Sequence, residues 1–200
     1  MTNLKDKIIL ITGAGKGSGR TLARAFAELG AIVAANDISP INVEEVVDEI
    51  NKSGGRAKTF LEDVTRKMSV QHLVKRVEDD FGRIDILVNH ASVQPRNPLL
   101  DMDEWDWHRV LDVNLTGAFL MTQSVGRIMR SQGSGVIINL IAAKQVSGKG
   151  EAAFVASMQA LSGLTHQAAQ ELGPYGIRVH ALETGEGVVE RVFALLEEKP

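Results

Sequence analysis

The sequence contains no cysteine among its 200 residues, which excludes disulfide bonds and thiolate chemistry. No apolar run approaches membrane-spanning length, and no secretory signal pattern is present. Acidic and basic residues nearly balance, with a net charge of −3 and a pI near 6.0, so the charge favours neither nucleic acid nor an anionic membrane as a partner. From these absences we expect a cytoplasmic protein whose partners are small molecules.

Apolar runs of strand length alternate with helical patterns along the chain. The predicted strands cover residues 8–11, 31–36, 56–61, 84–88, 135–141 and 177–182. The predicted helices cover 22–29, 43–50, 68–81, 105–129 and 152–172. Such alternation indicates an α/β fold, a doubly wound parallel sheet of about six strands with helices on both faces. A hydrophobic content of 44% over 200 residues suffices for one domain, so we predict a single domain over 1–200.

The stretch 7–29 joins the first predicted strand to the first predicted helix through a glycine-rich turn. Gly13 allows a sharp turn, Gly17 leaves room for a pyrophosphate beside the backbone, and Gly19 lets the helix lie close to its strand. The N-terminus of that helix would then face the phosphates. An ordinary glycine-rich turn is the alternative, but Asp37 follows at about the interval expected of a dinucleotide-binding unit. The stretch therefore predicts dinucleotide binding.

Two charged residues near this turn bear on the phosphate state of the dinucleotide. A carboxylate at Asp37, after the second predicted strand, can accept both ribose hydroxyls of NAD and would repel the 2′-phosphate of NADP. Lys16 favours the opposite choice, since a cation in the turn could pair with that phosphate. A flexible lysine can instead bond to the pyrophosphate, beside Ser18, or remain in solvent. We therefore expect NAD, with NADP as the alternative.

Several motifs follow one another in a fixed order along the chain. They are Thr12-Gly13-x-x-x-Gly17-x-Gly19, Asp63-Val64, Asn89-His90-Ala91, Asn114, and the strand 135–139 leading into Phe154-x-Ala156-Ser157. Over residues 5–185 this pattern resembles the short-chain dehydrogenase/reductase superfamily. The resemblance implies a Rossmann-like sheet, a nicotinamide cofactor, and the reduction of carbonyls or oxidation of alcohols.

The resemblance also implies roles for individual residues. Asp63 and Val64 would flank the adenine, the Asn89-His90-Ala91 segment would line the cofactor after the fourth strand, and Asn114 would hold a water-linked proton relay. Each assignment has a structural alternative. Asp63 could cap the turn before the next helix, Asn114 could be a satisfied polar residue between helix and sheet, and His90 could be a loop histidine.

The chain departs from the superfamily at the residues that carry its chemistry. The family reacts through a serine on the fifth strand and a Tyr-x-x-x-Lys pair on the next helix, in which the lysine lowers the pKa of the tyrosine and holds the nicotinamide ribose. The matching positions here are Ala142, Phe154 and Met158, and none of these side chains can donate a proton or carry a charge. The single tyrosine, Tyr175, precedes the sixth predicted strand and is interpreted as a turn residue.

The end of the chain also departs from the family pattern. After the sixth strand the family continues with a Pro-Gly loop, a mobile substrate lid and a seventh strand. Here Glu183-Thr184-Gly185 leads into apolar residues at helical spacing. We expect residues 183–200 to form an atypical C-terminal helix in place of the lid, without a seventh strand. Its apolar face must dock on the sheet or on another subunit.

Two function classes fit these observations. The first is a nucleotide-binding protein of this fold with little or no turnover, acting as a sensor, scaffold or partner subunit. The second is an active NAD(P)-dependent carbonyl reductase or alcohol dehydrogenase with a displaced general acid. The candidates for that acid are His90, Lys144, Ser147, Lys149 and Glu151. We prefer the first class, and we expect no resident metal.

The resemblance further implies self-association through the long predicted helices 105–129 and 152–172. An uncovered sheet edge at 177–182 would also invite pairing. We therefore expect a homodimer.

Overall fold

A computed structural model describes residues 4–142 and 149–197. Its six strands form one parallel sheet in the order β3-β2-β1-β4-β5-β6. The strands are β1 (Ile8–Thr12), β2 (Ile32–Asp37), β3 (Arg56–Leu61), β4 (Ile86–Asn89), β5 (Gly135–Ile141) and β6 (Ile177–Glu183). The strand order reverses between β1 and β4, and doubly wound sheets bind their ligands at such a reversal. The predicted Rossmann-like fold with six strands is confirmed.

Helices cover both faces of the sheet. They are α1 (Gly17–Glu28), α2 (Pro40–Lys52), α3 (Lys67–Phe81), α4 (Glu104–Leu111), α5 (Gly117–Gln132), α6 (Ala152–Leu172) and α7 (Val188–Glu197). Helices α1, α2 and α7 pack on one face, and α3, α5 and α6 pack on the other. Strands buried on both sides need apolar residues at successive positions, which explains their continuous apolar runs. Among the described helices, none is both long and apolar enough to cross a membrane.

The predicted helix 105–129 is interrupted in the structure. Helices α4 and α5 are joined by a π-helical turn over Asp112–Thr116, a geometry that often marks functional sites. Asn114 lies within this turn and is 2% exposed. The spacing of apolar residues did not reveal the interruption, because α4, the π-helical turn and α5 follow one another without a break and the pattern stays helical on both sides.

The fourth strand begins two residues later than predicted. The side-chain amide of Gln132 donates to the Ile84 carbonyl at 2.9 Å and accepts from the Ile84 N–H at 3.0 Å. These bonds occupy the backbone of Ile84, so the strand begins at Ile86. Only the tertiary contact between α5 and this segment reveals the difference.

The C-terminal helix α7 docks on the sheet of its own chain, which settles the alternative that the sequence left open. The rings of Phe193 and Phe26 meet edge to face, with centroids 5.5 Å apart. The guanidinium of Arg178, on β6, donates to the carbonyl of Leu195 at 3.1 Å. The apolar face of α7 therefore completes the core on the α1 side.

The packing of α7 predicts a local effect on stability. Replacing the fully buried Val192 by alanine should lower the free energy of unfolding by about 1–3 kcal/mol, because two methyl groups leave a packed interface. The control Ala194→Ser lies on the exposed side of the same helix and should cost less than about 0.5 kcal/mol. Urea denaturation of both variants measures the difference. Equal effects would show that α7 does not dock as described.

Candidate dinucleotide site

A row of polar side chains crosses the sheet where the apolar strands end. Thr12 on β1 is in register with Asn36 on β2 and with Asn89 on β4, and Asn89 is in register with Asn139 on β5. All four are buried. The Asn89 amide donates to Asn139 Oδ1 at 2.8 Å. The loops that leave these strands therefore start from one fixed edge of the sheet.

The glycine turn closes tightly on the loop after β4. Gly13 and Gly17 have positive φ angles of 65° and 54°, a backbone conformation that residues other than glycine rarely adopt. A Cβ at Gly13 would lie 2.8 Å from the Cα of Ala91, and one at Gly19 would lie 2.5 Å from the Gly13 carbonyl oxygen. At each of the three motif glycines, a side chain would therefore clash with a neighbour or would need an unfavourable backbone conformation. The first N–H groups of α1 have no acceptor within the helix and are available to an anion.

His90 lies against the glycine turn rather than in an open loop. The N–H groups of His90 and Ala91 donate to Thr12 Oγ1 at 3.1 and 3.2 Å. The Nδ1 atom of His90 lies 3.0 Å from the carbonyl oxygen of Gly13, which can only accept, so Nδ1 carries the proton. Burial lowers the pKa of the His90 imidazole, against smaller opposing effects that include the Gly13 carbonyl and the Asp37 carboxylate. The ring is therefore neutral at neutral pH.

Asp37 is fixed at the end of β2 by the backbone of two loops. Its Oδ2 accepts from the N–H of Gly15 and its Oδ1 from the N–H of Ser39, each at 3.0 Å. A carboxylate oxygen has two lone pairs, so both oxygens can still accept from a ligand. Lys16 is exposed at the start of α1 and, among the described residues, takes part in no ion pair. The structure thus places a hydrogen-bonded carboxylate and an exposed ammonium group beside the same turn.

A first cavity, of about 210 Å³, opens beside Asp37. Its lining residues come from the glycine turn, the end of β2, the segments after β2, β3 and β4, and the π-helical turn. They are Gly13, Lys16, Asn36, Asp37, Ile38, Glu62, Val64, His90, Ala91, Ser92, Val93 and Val113. Val64 is buried and packs against Gly117, where an added Cβ would lie 2.9 Å from Val64 Cγ2. Asp63 is absent from this lining. Its Oδ1 accepts from the N–H and hydroxyl of Thr65 at 2.9 and 2.7 Å, which is the turn-capping alternative.

A second cavity, of about 520 Å³, is also lined by His90. Its lining residues are Gly17, Ser18, His90, Ser92, Gln94, Leu140, Ile141, Ala142, Phe154, Met158 and Thr184. The structure thus brings Ala142, Phe154 and Met158 to one wall, where the Ala142 N–H donates to the Met158 sulfur at 3.4 Å. Ser92, Gln94 and Thr184 were missed from the sequence, because no motif marks them. No residue of α7 lines this cavity within the described chain.

Asn114 is held beside this wall by three hydrogen bonds. Its Oδ1 accepts from the N–H of Val93 at 2.8 Å, and its Nδ2 donates to the Val93 carbonyl and to Ser157 Oγ, each at 3.0 Å. The side chain therefore ties the loop after β4 to α6, and both ends of its amide are hydrogen-bonded. The relay role implied by the resemblance stays a prediction.

The loop residues that are candidates for a displaced general acid differ in burial and in hydrogen bonding. Glu151 is 4% exposed, pairs with Arg96 at 3.2 Å and accepts from Gln94 at 3.0 Å, so its carboxylate fastens the loop after β4 to the start of α6. Lys149 is exposed. Lys144 and Ser147 lie outside the described residues. Across 4–142 and 149–197, no group of three or more His, Asp or Glu side chains could hold a metal ion.

Comparisons with known proteins agree with this architecture. Residues 7–192 match the family model described as short chain dehydrogenase. An uncharacterized oxidoreductase of Thermotoga maritima is 39% identical over 197 residues, covering 96% of this chain and 78% of that protein. The structure of an NAD⁺-bound xylitol dehydrogenase has a TM-score of 0.87 at 33% identity, covering 98% of this chain and 77% of that one. A metagenomic short-chain oxidoreductase in complex with NADP has a TM-score of 0.93 at 28% identity, covering 99% and 94% of the two chains. The chain belongs to the short-chain dehydrogenase/reductase family.

Proposed function

We propose that this chain is a cytoplasmic, single-domain member of the family that binds a nicotinamide dinucleotide and has little or no turnover. It would act as a sensor, a scaffold or the partner subunit of an active relative. The observation that carries the proposal is the wall formed by Ala142, Phe154 and Met158. These side chains occupy the positions at which the family resemblance expects the reacting groups.

The arrangement of the two cavities supports dinucleotide binding. They share His90 and Ser92, and residues of the glycine stretch line both of them. An extended ligand with phosphates at its centre would place adenosine beside Asp37, nicotinamide beside Phe154, and its diphosphate at the N-terminus of α1. Structures of family members with bound NAD⁺ and with NADP give dinucleotide binding a precedent.

The apolar wall supports weak turnover. Phe154 and Met158 are buried and pack with Val110 and Ile141 in one cluster. A positioned general acid contributes roughly 10²–10⁴-fold to a rate, and stabilisation of a developing alkoxide contributes further. Neither phenylalanine, alanine nor methionine supplies these effects. His90 also lines the second cavity, but its ring is neutral and its Nδ1–H already donates to the carbonyl oxygen of Gly13.

The alternative is an active NAD(P)-dependent carbonyl reductase or alcohol dehydrogenase with a displaced acid. Relatives described as oxidoreductases favour it. The second cavity also contains polar groups on Ser92, Gln94 and Thr184, which could bind a carbonyl oxygen. In that case the proton would come from a side chain other than the family's tyrosine.

The first prediction of this proposal concerns the choice of dinucleotide. NAD should bind at least about tenfold more tightly than NADP, because the Asp37 carboxylate repels a 2′-phosphate. ADP-ribose should bind within about tenfold of NAD, since no lysine at position 158 grips the nicotinamide ribose. Titration calorimetry with the three ligands measures these ratios.

A charge-neutral variant tests the role of Asp37. Asp37→Asn keeps the size of the side chain and should reduce or reverse the preference for NAD. The control Asp48→Asn removes a carboxylate from the exposed side of α2 and should leave the preference unchanged. Tighter binding of NADP to the unmodified protein would contradict the assignment, and binding of none of the three ligands would contradict the proposed function.

The second prediction is that NADH oxidation with small ketones is slower than about 1 s⁻¹, an ordinary enzyme rate. The triple variant Ala142→Ser, Phe154→Tyr, Met158→Lys should be faster than the unmodified protein. The single variant Phe154→Tyr is its matched control and should stay slow, because a tyrosine without the lysine keeps a pKa near 10. An ordinary rate in the unmodified protein would establish the alternative, and substitution of Lys144, Lys149 and His90 one at a time would then locate the acid.

The third prediction concerns self-association through α5 and α6. Phe119 on α5 and Val155 on α6 are large apolar side chains that are 41% and 38% exposed, and burial in a homodimer would remove them from water. Light scattering at micromolar concentration should show a dimer, and Phe119→Glu should convert it to a monomer. Leu100→Glu, in a loop where the side chain is 96% exposed, should leave the dimer intact. A monomeric unmodified protein would exclude this interface.

A further inference from the structure

The imidazole of His90 fills space inside the glycine turn. A Cβ added at Gly19 would lie 2.5 Å from His90 Nδ1, one at Gly13 would lie 3.0 Å from Nδ1, and one at Gly17 would lie 3.8 Å from Nε2. One edge of the ring therefore runs along the three glycines that the sequence assigns to phosphate binding. The ring also lines both cavities.

The hydrogen bond to Gly13 fixes the tautomer of the neutral His90 ring in the free protein. Nδ1 must donate to the Gly13 carbonyl oxygen, 3.0 Å away, so a neutral ring has its lone pair on Nε2. Nε2 is the ring nitrogen nearer to Gly17, where α1 begins. Burial keeps the ring neutral by lowering its pKa.

A bound diphosphate conflicts with this state. Its oxygens are acceptors and carry negative charge, and they would occupy the N-terminus of α1 next to the ring. A lone pair on Nε2 cannot donate to them. A protonated Nε2 donates an N–H and brings a positive charge, while Nδ1 keeps its bond to Gly13.

We propose that His90 is a proton-linked anchor for the diphosphate of the dinucleotide, which takes up a proton at Nε2 when the ligand binds. The inference rests on the proposed dinucleotide binding and adds to it a dependence on pH. The protonated ring binds the diphosphate more tightly, so binding raises the proton affinity of Nε2. Affinity for the dinucleotide is then greatest at low pH and falls as the pH rises through the bound-state titration of His90.

Three other charged side chains face this region in the described lining of the two cavities. They are Asp37 from the end of β2, Glu62 from the segment after β3, and Lys16 from the glycine turn. The Asp37 carboxylate favours the imidazolium, and an anion at Glu62 acts in the same direction. Lys16 opposes it but is exposed to solvent, which weakens its effect on the ring.

Titration calorimetry with NAD⁺ in two buffers of different ionisation enthalpy counts the protons taken up. NAD⁺ is the suitable probe because its diphosphate has no group that titrates near neutral pH, whereas the 2′-phosphate of NADP does. Between about pH 5.5 and 8.5, we expect uptake of up to one proton and a loss of affinity of up to about tenfold per pH unit. Nitrogen chemical shifts of His90 should report protonation of Nε2 in the unmodified protein on addition of NAD⁺.

Variants assign the proton to one histidine. His90→Asn keeps an amide N–H for the Gly13 carbonyl and should abolish both the proton uptake and the pH dependence of binding. The control His166→Asn lies at an exposed position on α6, where His166 Nε2 is 3.0 Å from Gln170 Nε2. It should retain the proton uptake and the pH dependence. Binding of NAD⁺ without proton uptake, or uptake that persists in His90→Asn, would overturn this inference alone. Absence of NAD⁺ binding at every pH would overturn the inference and the proposed function together.

Discussion

The contact between the turn after β1 and the loop after β4 is the constraint on which the candidate site depends. One hydroxyl, Thr12 Oγ1, accepts the backbone N–H groups of both His90 and Ala91. These two bonds hold the turn and the loop so close together that only a glycine fits at position 13, where any Cβ would lie 2.8 Å from the Ala91 Cα. At the topological reversal between β1 and β4, the glycine turn therefore packs directly against the loop after β4.

The polar groups around this contact mostly hold the scaffold together. Asn114 uses both ends of its amide on Val93 and Ser157, and Glu151 binds Gln94 and Arg96. These bonds fasten the loop after β4 to α6 from two sides. A buried carboxylate or amide that is already satisfied stabilises the wall of the cavity, and it is a poor source of new chemistry because breaking its bonds is costly.

Apolar packing holds together the wall of the second cavity that contains Ala142, Phe154 and Met158. Phe154 and Met158 join Val110 in a small cluster under the loop after β4, and the Met158 sulfur accepts the Ala142 N–H. Apolar side chains at these positions need no partner in the low-dielectric interior, whereas an isolated lysine would. This explains how the fold remains closely packed around a wall that lacks ionisable groups.

The sequence by itself determined the sheet, its six strands and the glycine turn, because strands buried on both faces and turns with positive φ leave strong local signals. The family resemblance also grouped Ala142, Phe154 and Met158 at one site, and in the structure all three line the second cavity. Only the tertiary structure decided that Asp63 caps a turn, that Asn114 lies in a π-helical turn and that α7 docks on α1. It also placed the His90 ring among the glycines. The docking of α7 and the placement of His90 depend on contacts between residues far apart in the chain, and such contacts leave no periodic pattern in the sequence. The Asp63 cap and the π-helical turn are local, but the residue types at these positions fit more than one local structure.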